Sequence, residues 1–127
     1  MREKYGHAQF GRGGGMEHQT MSFMTHFGFG LTAHELAHQW FGNKITCGSW
    51  SDIWLNEGFA TYFAGLPLET MYNGVHWNAW KENFLERATT NKTESVFVSD
   101  TSSVNRIFDP NLSYAKGGYI LHMLRKQ

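Results

Sequence analysis

The sequence holds one cysteine, Cys47, in 127 residues. A lone thiol excludes an internal disulfide framework and any Cys-rich zinc module. Proline occurs only at Pro67 and Pro110, and there is no Ser/Pro linker, charge block or internal repeat. No run approaches the length of about 18 apolar residues that a membrane span requires. The opening Met1-Arg2-Glu3-Lys4-Tyr5 lacks the apolar stretch of a signal peptide. Acidic and basic residues balance to a net charge of zero. That excludes a general binder of nucleic acid or of acidic membranes, which needs a basic excess. Charged residues make up only 17% of the chain, against 16% aromatic. So lean a charged surface points to faces meant to be covered, by substrate or by neighbouring domains.

What is present fits one domain with a working core. The first thirty residues are Gly-rich, with a short strand expected over Tyr5–Phe10, loose backbone at Arg12-Gly13-Gly14-Gly15, and extended chain from Met16 to Met24. From Leu31 to Phe41 the apolar spacing becomes helical, with Thr32 as candidate N-cap and Gly42-Asn43 as stop signal. Ser51-Asp52 opens a second helix that ends at Gly65 and Pro67. A third helix is expected over Leu68–Ala88, with a break at Gly74. Val96-Phe97-Val98 reads as a short strand or loop, Ser102–Asn111 as loop, and a last helix starts near Ser113.

The chemistry lies in His34-Glu35-Leu36-Ala37-His38. Residues four apart share one helix face, so both imidazoles can reach one tetrahedral ion. Glu35, next to His34, is placed to take a proton from activated water. The five-residue pattern alone would arise by chance about once in forty chains of this composition. A catalytic zinc needs a third protein ligand. Glu57 supplies a candidate, with eighteen residues between it and His38, on the next helix. Its neighbours Trp54, Leu55, Phe59 and Ala60 are apolar. A carboxylate in such company needs a partner, and a metal provides one.

These residues resemble the signature of the zinc aminopeptidases related to aminopeptidase N and leukotriene hydrolase, members of the gluzincin metallopeptidases. The pattern runs from His34-Glu35-Leu36-Ala37-His38-Gln39-Trp40-Phe41-Gly42-Asn43 to Trp54-Leu55-Asn56-Glu57-Gly58-Phe59-Ala60. A second family motif, G-x-M-E-N, is matched by Gly14-Gly15-Met16-Glu17 and departs at His18, where the family has Asn. A third is matched by Ser113-Tyr114-Ala115-Lys116-Gly117. The resemblance implies an α+β, mostly helical, thermolysin-like fold with a small N-terminal β element. It implies one Zn2+ held by His34, His38 and Glu57, with Glu35 as general base. It also implies that Tyr114 stabilises the oxyanion and that Glu17 holds the substrate's free α-ammonium. Gly14, Gly15 and Met16 would line the peptide as an added strand. The His18 departure bears on the contacts the Asn would make and on fine substrate alignment.

The implied partners are peptides with a free N-terminus. Residues 1–127 are expected to form part of a catalytic domain, without the N-terminal β domain and C-terminal helical domain of the family. Exposed apolar patches or self-association are expected to follow. Two other readings stand beside an active aminopeptidase: a zinc-holding fragment inactive alone, and a family member with added epoxide hydrolysis, which nothing in the sequence selects. Neither compartment nor residue preference is set by these residues. His7, His26, His76 and His122 lack ligand spacing and read as surface or locally bonded side chains. Cys47 reads as an inert small residue. Trp77, Trp80 and Phe84 recur at core spacing.

Overall fold

A computed structural model describes residues 3–127; Met1 and Arg2, which open the charged N-terminal run, lie outside the described residues. The N-terminal element is a three-stranded sheet of β1 (Gly6–Gln9), β2 (Gly15–Met16) and β3 (Met21–Met24). The strand order is β1-β3-β2. β1 runs parallel to the central β3, from Gly6 opposite Met21 to Gln9 opposite Met24. β2 is antiparallel, with Gly15 opposite Met24 and Met16 opposite Phe23. Alternate β3 residues Ser22 and Met24 are fully buried, as the two-residue period of a strand requires. β2 forms one outer edge of this sheet and carries Glu17 just beyond its last residue.

Five α-helices follow: α1 (Phe29–Ala37), α2 (Ile53–Gly65), α3 (Val75–Thr90), α4 (Val104–Ile107) and α5 (Gly117–Arg125). The molecule is therefore α+β and mostly helical, with the small β element at its N-terminal end. α1 begins three residues before the expected Thr32 cap. The Gly28 carbonyl accepts the first helical bond from the Thr32 N–H at 3.0 Å. Thr32 lies inside the helix instead, its hydroxyl buried without a partner. The far end agrees with the Gly42-Asn43 stop, where the Asn43 N–H closes back on the His38 carbonyl at 2.9 Å.

α2 is the central helix, packed against α1, α5 and the segment before α5. Its burial all round follows from its composition: Ile53, Gly58, Ala60, Thr61, Tyr62 and Ala64 are buried on successive turns. It meets α5 at backbone distance. A Cβ on Gly58 would stand 2.8 Å from the Gly117 carbonyl carbon, so only glycine permits this crossing.

The expected third helix is divided. Leu66–Glu69 and Met71–Gly74 form tight 3-10 turns, and Tyr72, Asn73 and Gly74 take left-handed conformations before α3 starts at Val75. Pro67 lacks an N–H and Asn and Gly tolerate positive φ, which accounts for the break. Val96–Val98 is loop rather than strand, pinned by Val98 N–H on the Ser51 carbonyl at 2.9 Å. Val98, Ile53 and Ile107 make a small core, with Cys47 packed beside them. The expected Ser102–Asn111 loop contains α4, capped by the Ser103 hydroxyl on the Arg106 N–H.

The last helix opens earlier than Ser113, through a π-helical turn over Pro110–Lys116. Asp109 caps it, accepting from the Asn111 and Leu112 N–H groups at 2.8 and 2.9 Å. Proline in the first turn suits such a start, because that N–H has no helical partner to lose. No helix among the described residues is long and apolar enough to cross a membrane. Ile45, Trp50, Phe27 and Leu124 remain largely exposed.

Candidate metal centre and substrate cleft

α1 presents His34 and His38 one turn apart, and α2 brings Glu57 to meet them. The two imidazole Nε2 atoms stand 3.0 Å apart. Glu57 Oε2 lies 3.2 Å from His34 Nε2 and 3.3 Å from His38 Nε2. Donors placed tetrahedrally at about 2.0–2.1 Å around one zinc ion are themselves about 3.3 Å apart, so two nitrogens and one carboxylate oxygen at these spacings fit that ion. His38 is almost wholly buried, and its Nδ1–H donates to the Phe41 carbonyl at 2.9 Å. That bond orients the ring and aims Nε2 at the centre, as outer partners of metal-binding histidines do.

The electrostatics of the three groups are mutual. Burial would push Glu57 up, but hydrogen bonds from His34 and His38 outweigh it and hold the carboxyl down at about 2. Burial would push His38 down, but the Glu57 carboxylate outweighs it and raises the imidazolium to about 9. Glu57 and His38 thus favour each other's charged forms across 3.3 Å.

Glu35 sits beside this centre, only 3% exposed, with Oε2 lacking any hydrogen-bond partner. Burial raises its pKa to about 7, helped by the charges of Glu17 and Glu57. An unpartnered carboxylate oxygen facing a cleft, titrating near neutrality, has the properties of a general base. Tyr114 lies in the π-helical turn, its ring stacked on that of His34 at 5.9 Å. Burial, then the charges of Glu57 and Glu17, raise the phenol well above its ordinary value, so it remains a hydroxyl donor.

All these groups open onto one cleft of about 680 Å³. Gly14, Gly15 and Glu17 form its β-sheet wall. Ligand-type atoms of Glu17, Glu35 and His38 lie within 4.8 Å of one another. The sequence-expected residues therefore converge, with one exception. Met16 is 39% exposed and is absent from the cleft wall; it pairs through its backbone with Phe23.

The cleft is also lined by residues that sequence spacing assigned elsewhere. Of Trp77, Trp80 and Phe84, only Trp77 is buried, while Trp80 and Phe84 line the cleft. The three stack in a row, Trp77 on Trp80 at 4.9 Å and Trp80 on Phe84 at 4.4 Å. Helical periodicity identified their shared face but not what it faces. Arg87 and Phe108 also line the cleft and carry no sequence signal of it. Arg87 spans from the Phe84 ring to the Pro110 carbonyl, donating at 2.8 Å.

The other histidines do not join either metal-type cluster found among the described residues. His26 Nδ1 accepts locally from the Gly28 N–H. His122 is the exception to a surface reading: it is buried among Tyr62, Trp77 and Tyr119. Burial, with Lys81, Lys126 and Arg125 nearby, lowers its pKa.

Residues 16–127 match the Peptidase family M1 domain. Aminopeptidase N of Lactococcus lactis subsp. lactis is 41% identical over 104 residues, covering 76% of this chain. Aminopeptidase M1-A of Oryza sativa subsp. japonica is 40% identical over 104 residues, covering 75% of this chain. The chain spans only 12% and 11% of those two proteins. Among solved structures, the M1 zinc metallopeptidase of Deinococcus radiodurans superposes with a TM-score of 0.82 at 33% identity, over 95% of this chain and 27% of that one. Yeast LTA4 hydrolase superposes with a TM-score of 0.69 at 25% identity, over 90% of this chain and 21% of that one.

Proposed function

The chain belongs to peptidase family M1, and from that premise we propose that it is the metal-holding part of a zinc aminopeptidase, acting on peptides with a free N-terminus. The observation that carries this reading is the convergence of His34, His38 and Glu57 beside an unpartnered Glu35 and a protonated Tyr114, all on one cleft. His34, His38 and Glu57 would hold one Zn2+. That ion, when bound, supplies Lewis acidity and makes water a nucleophile at neutral pH.

The chain's own groups account for the remaining steps. Glu35 Oε2 takes the proton of the attacking water and passes it to the leaving amine. The Tyr114 hydroxyl donates to the oxyanion that forms on the cleaved carbonyl. Glu17 binds the α-ammonium beside the strand wall, so that cleavage falls after the first residue. Gly14 and the β2 edge at Gly15 pair with the peptide backbone. Trp80, Phe84 and Phe108, which also line the cleft, offer apolar surface to the substrate. Flanking segments like those that make up most of the curated relatives would complete the cleft and cover exposed side chains such as Trp50 and Ile45.

The test is zinc content together with hydrolysis of an L-aminoacyl nitroanilide, on the chain and on Glu35→Gln. One zinc per chain is expected in both, with turnover in the variant reduced about 100–10,000-fold, the usual weight of a general base. Undiminished turnover in Glu35→Gln overturns the mechanism. Zinc without turnover in the unaltered chain identifies it as a metal-holding module without activity of its own.

A further inference from the structure

Glu17 stands outside the helices that carry the metal-type ligands, on a short segment between β2 and β3. Something must fix its distance from them. His18, the residue that departs from the family pattern, does not do so. It is exposed, with its ring edge-on to Phe23 at 5.5 Å. The segment also contains a strained residue, Thr20, with a left-handed φ of 65° that a β-branched side chain rarely adopts.

Two side-chain amides from the turns that follow α1 grip this segment. Asn43 Nδ2 donates to the Glu17 carbonyl at 2.8 Å. Gln39, only 8% exposed, accepts from the Thr20 N–H at 2.9 Å and donates to the His18 carbonyl at 3.4 Å. The same His18 carbonyl accepts from the Met21 N–H, closing the turn that leads into β3. Asn43 is bonded in turn through its own N–H to the His38 carbonyl. A continuous path thus joins the backbone of Glu17 to the backbone of His38.

We propose that Gln39 and Asn43 are positioning residues that hold the ammonium-binding carboxylate of Glu17 at a fixed distance from the His34–His38 helix. In doing so they set where along a peptide the cut falls. This rests on the reading of Glu17 given above. Neither residue touches substrate or the reacting atoms; each acts through the Glu17–Thr20 backbone.

The readout is binding rather than turnover. Calorimetry on the zinc-loaded chain compares an α-aminophosphonic acid analogue of leucine with its N-acetyl form. The preference for the free amine measures Glu17 in place. Asn43→Ala is expected to lower that preference about tenfold, the weight of one lost hydrogen bond to a positioned group, and Gln39→Ala, which loses two, by more than tenfold, while affinity for the N-acetyl form and zinc content stay unchanged. Gln39→Glu keeps the acceptor for Thr20 but loses the donor to His18, and is expected to fall between. Should an alanine variant fail to fold, Asn43→Ser and Gln39→Glu decide the matter by the same ratio. An unchanged preference, or equal weakening of both ligands, overturns the proposal. Glu17→Ala separates the two layers: if it leaves the preference intact, the reading of Glu17 itself falls and this proposal with it.

Discussion

Gly15 lies directly against Glu35: a side-chain carbon added to Gly15 would overlap the Glu35 carboxylate. The edge strand therefore approaches the proposed base at backbone distance, and the two elements share one wall of the cleft. A substrate paired with that strand is brought over Glu35 without any intervening side chain. Gly15→Ala must displace either the strand or the carboxylate. Turnover is expected to fall about 100-fold, the cost of a misplacement near 1 Å at a reacting centre. The check is kcat/KM beside zinc content and unfolding midpoint. A normal rate would show that the contact yields at no cost.

Tyr114→Phe removes one hydroxyl and leaves the ring that stacks on His34. If the phenol serves the oxyanion, kcat is expected to drop about 100–1,000-fold with little change in KM. Steady-state kinetics on the zinc-loaded protein distinguish this from a packing role, which the retained ring would still fill, leaving both kcat and the unfolding midpoint unchanged.

Stability of the metal-free chain is expected to depend on pH in a particular direction. Glu57, held at about 2 against an ordinary 4.5, stabilises the fold above pH 4.5, and this is lost as pH falls towards 2. His38, raised to about 9 from 6.5, stabilises it below pH 6.5, and this is lost as pH rises through 9. Glu35, raised to about 7, favours its protonated form when folded, so stability also declines between 4.5 and 7. Urea midpoints in the presence of a chelator should thus be highest near pH 5 and fall towards pH 9. Zinc requires a neutral His38, so its stabilisation should grow over the same alkaline range. A chelated midpoint that climbs from pH 5 to 9 would refute the buried ion pair.

The candidate site was largely legible in the sequence because its spacing is itself the chemistry. His34 and His38 must share a helix face, and Glu57 must return on the next helix, so both constraints are written as residue offsets. Element boundaries were less legible. The preference of Thr32 for an N-cap is worth only about 1 kcal/mol, too little to fix a helix start against packing. The earlier start of the last helix did carry a signal, since Asp109-Pro110 is a cap followed by a first-turn proline. Trp80 and Phe84 showed their periodicity but not their neighbour, because a cleft wall and a core have the same spacing. Gln39 and Asn43 act on backbone about twenty or more residues away, and no local pattern encodes such a bond.

The π-helical turn of Pro110–Lys116 places more residues between the Asp109 cap and the Gly58–Gly117 contact than an α-helix of the same length would. Both ends of that segment are fixed. Losing a single residue from it would shift the chain by one helical step and turn Tyr114 away from His34 or tear the cap from its helix. The aim of the phenol is therefore encoded partly as a count of residues, independent of their identity. Replacing side chains one at a time along this stretch would pass over that information; insertions and deletions are the changes that read it.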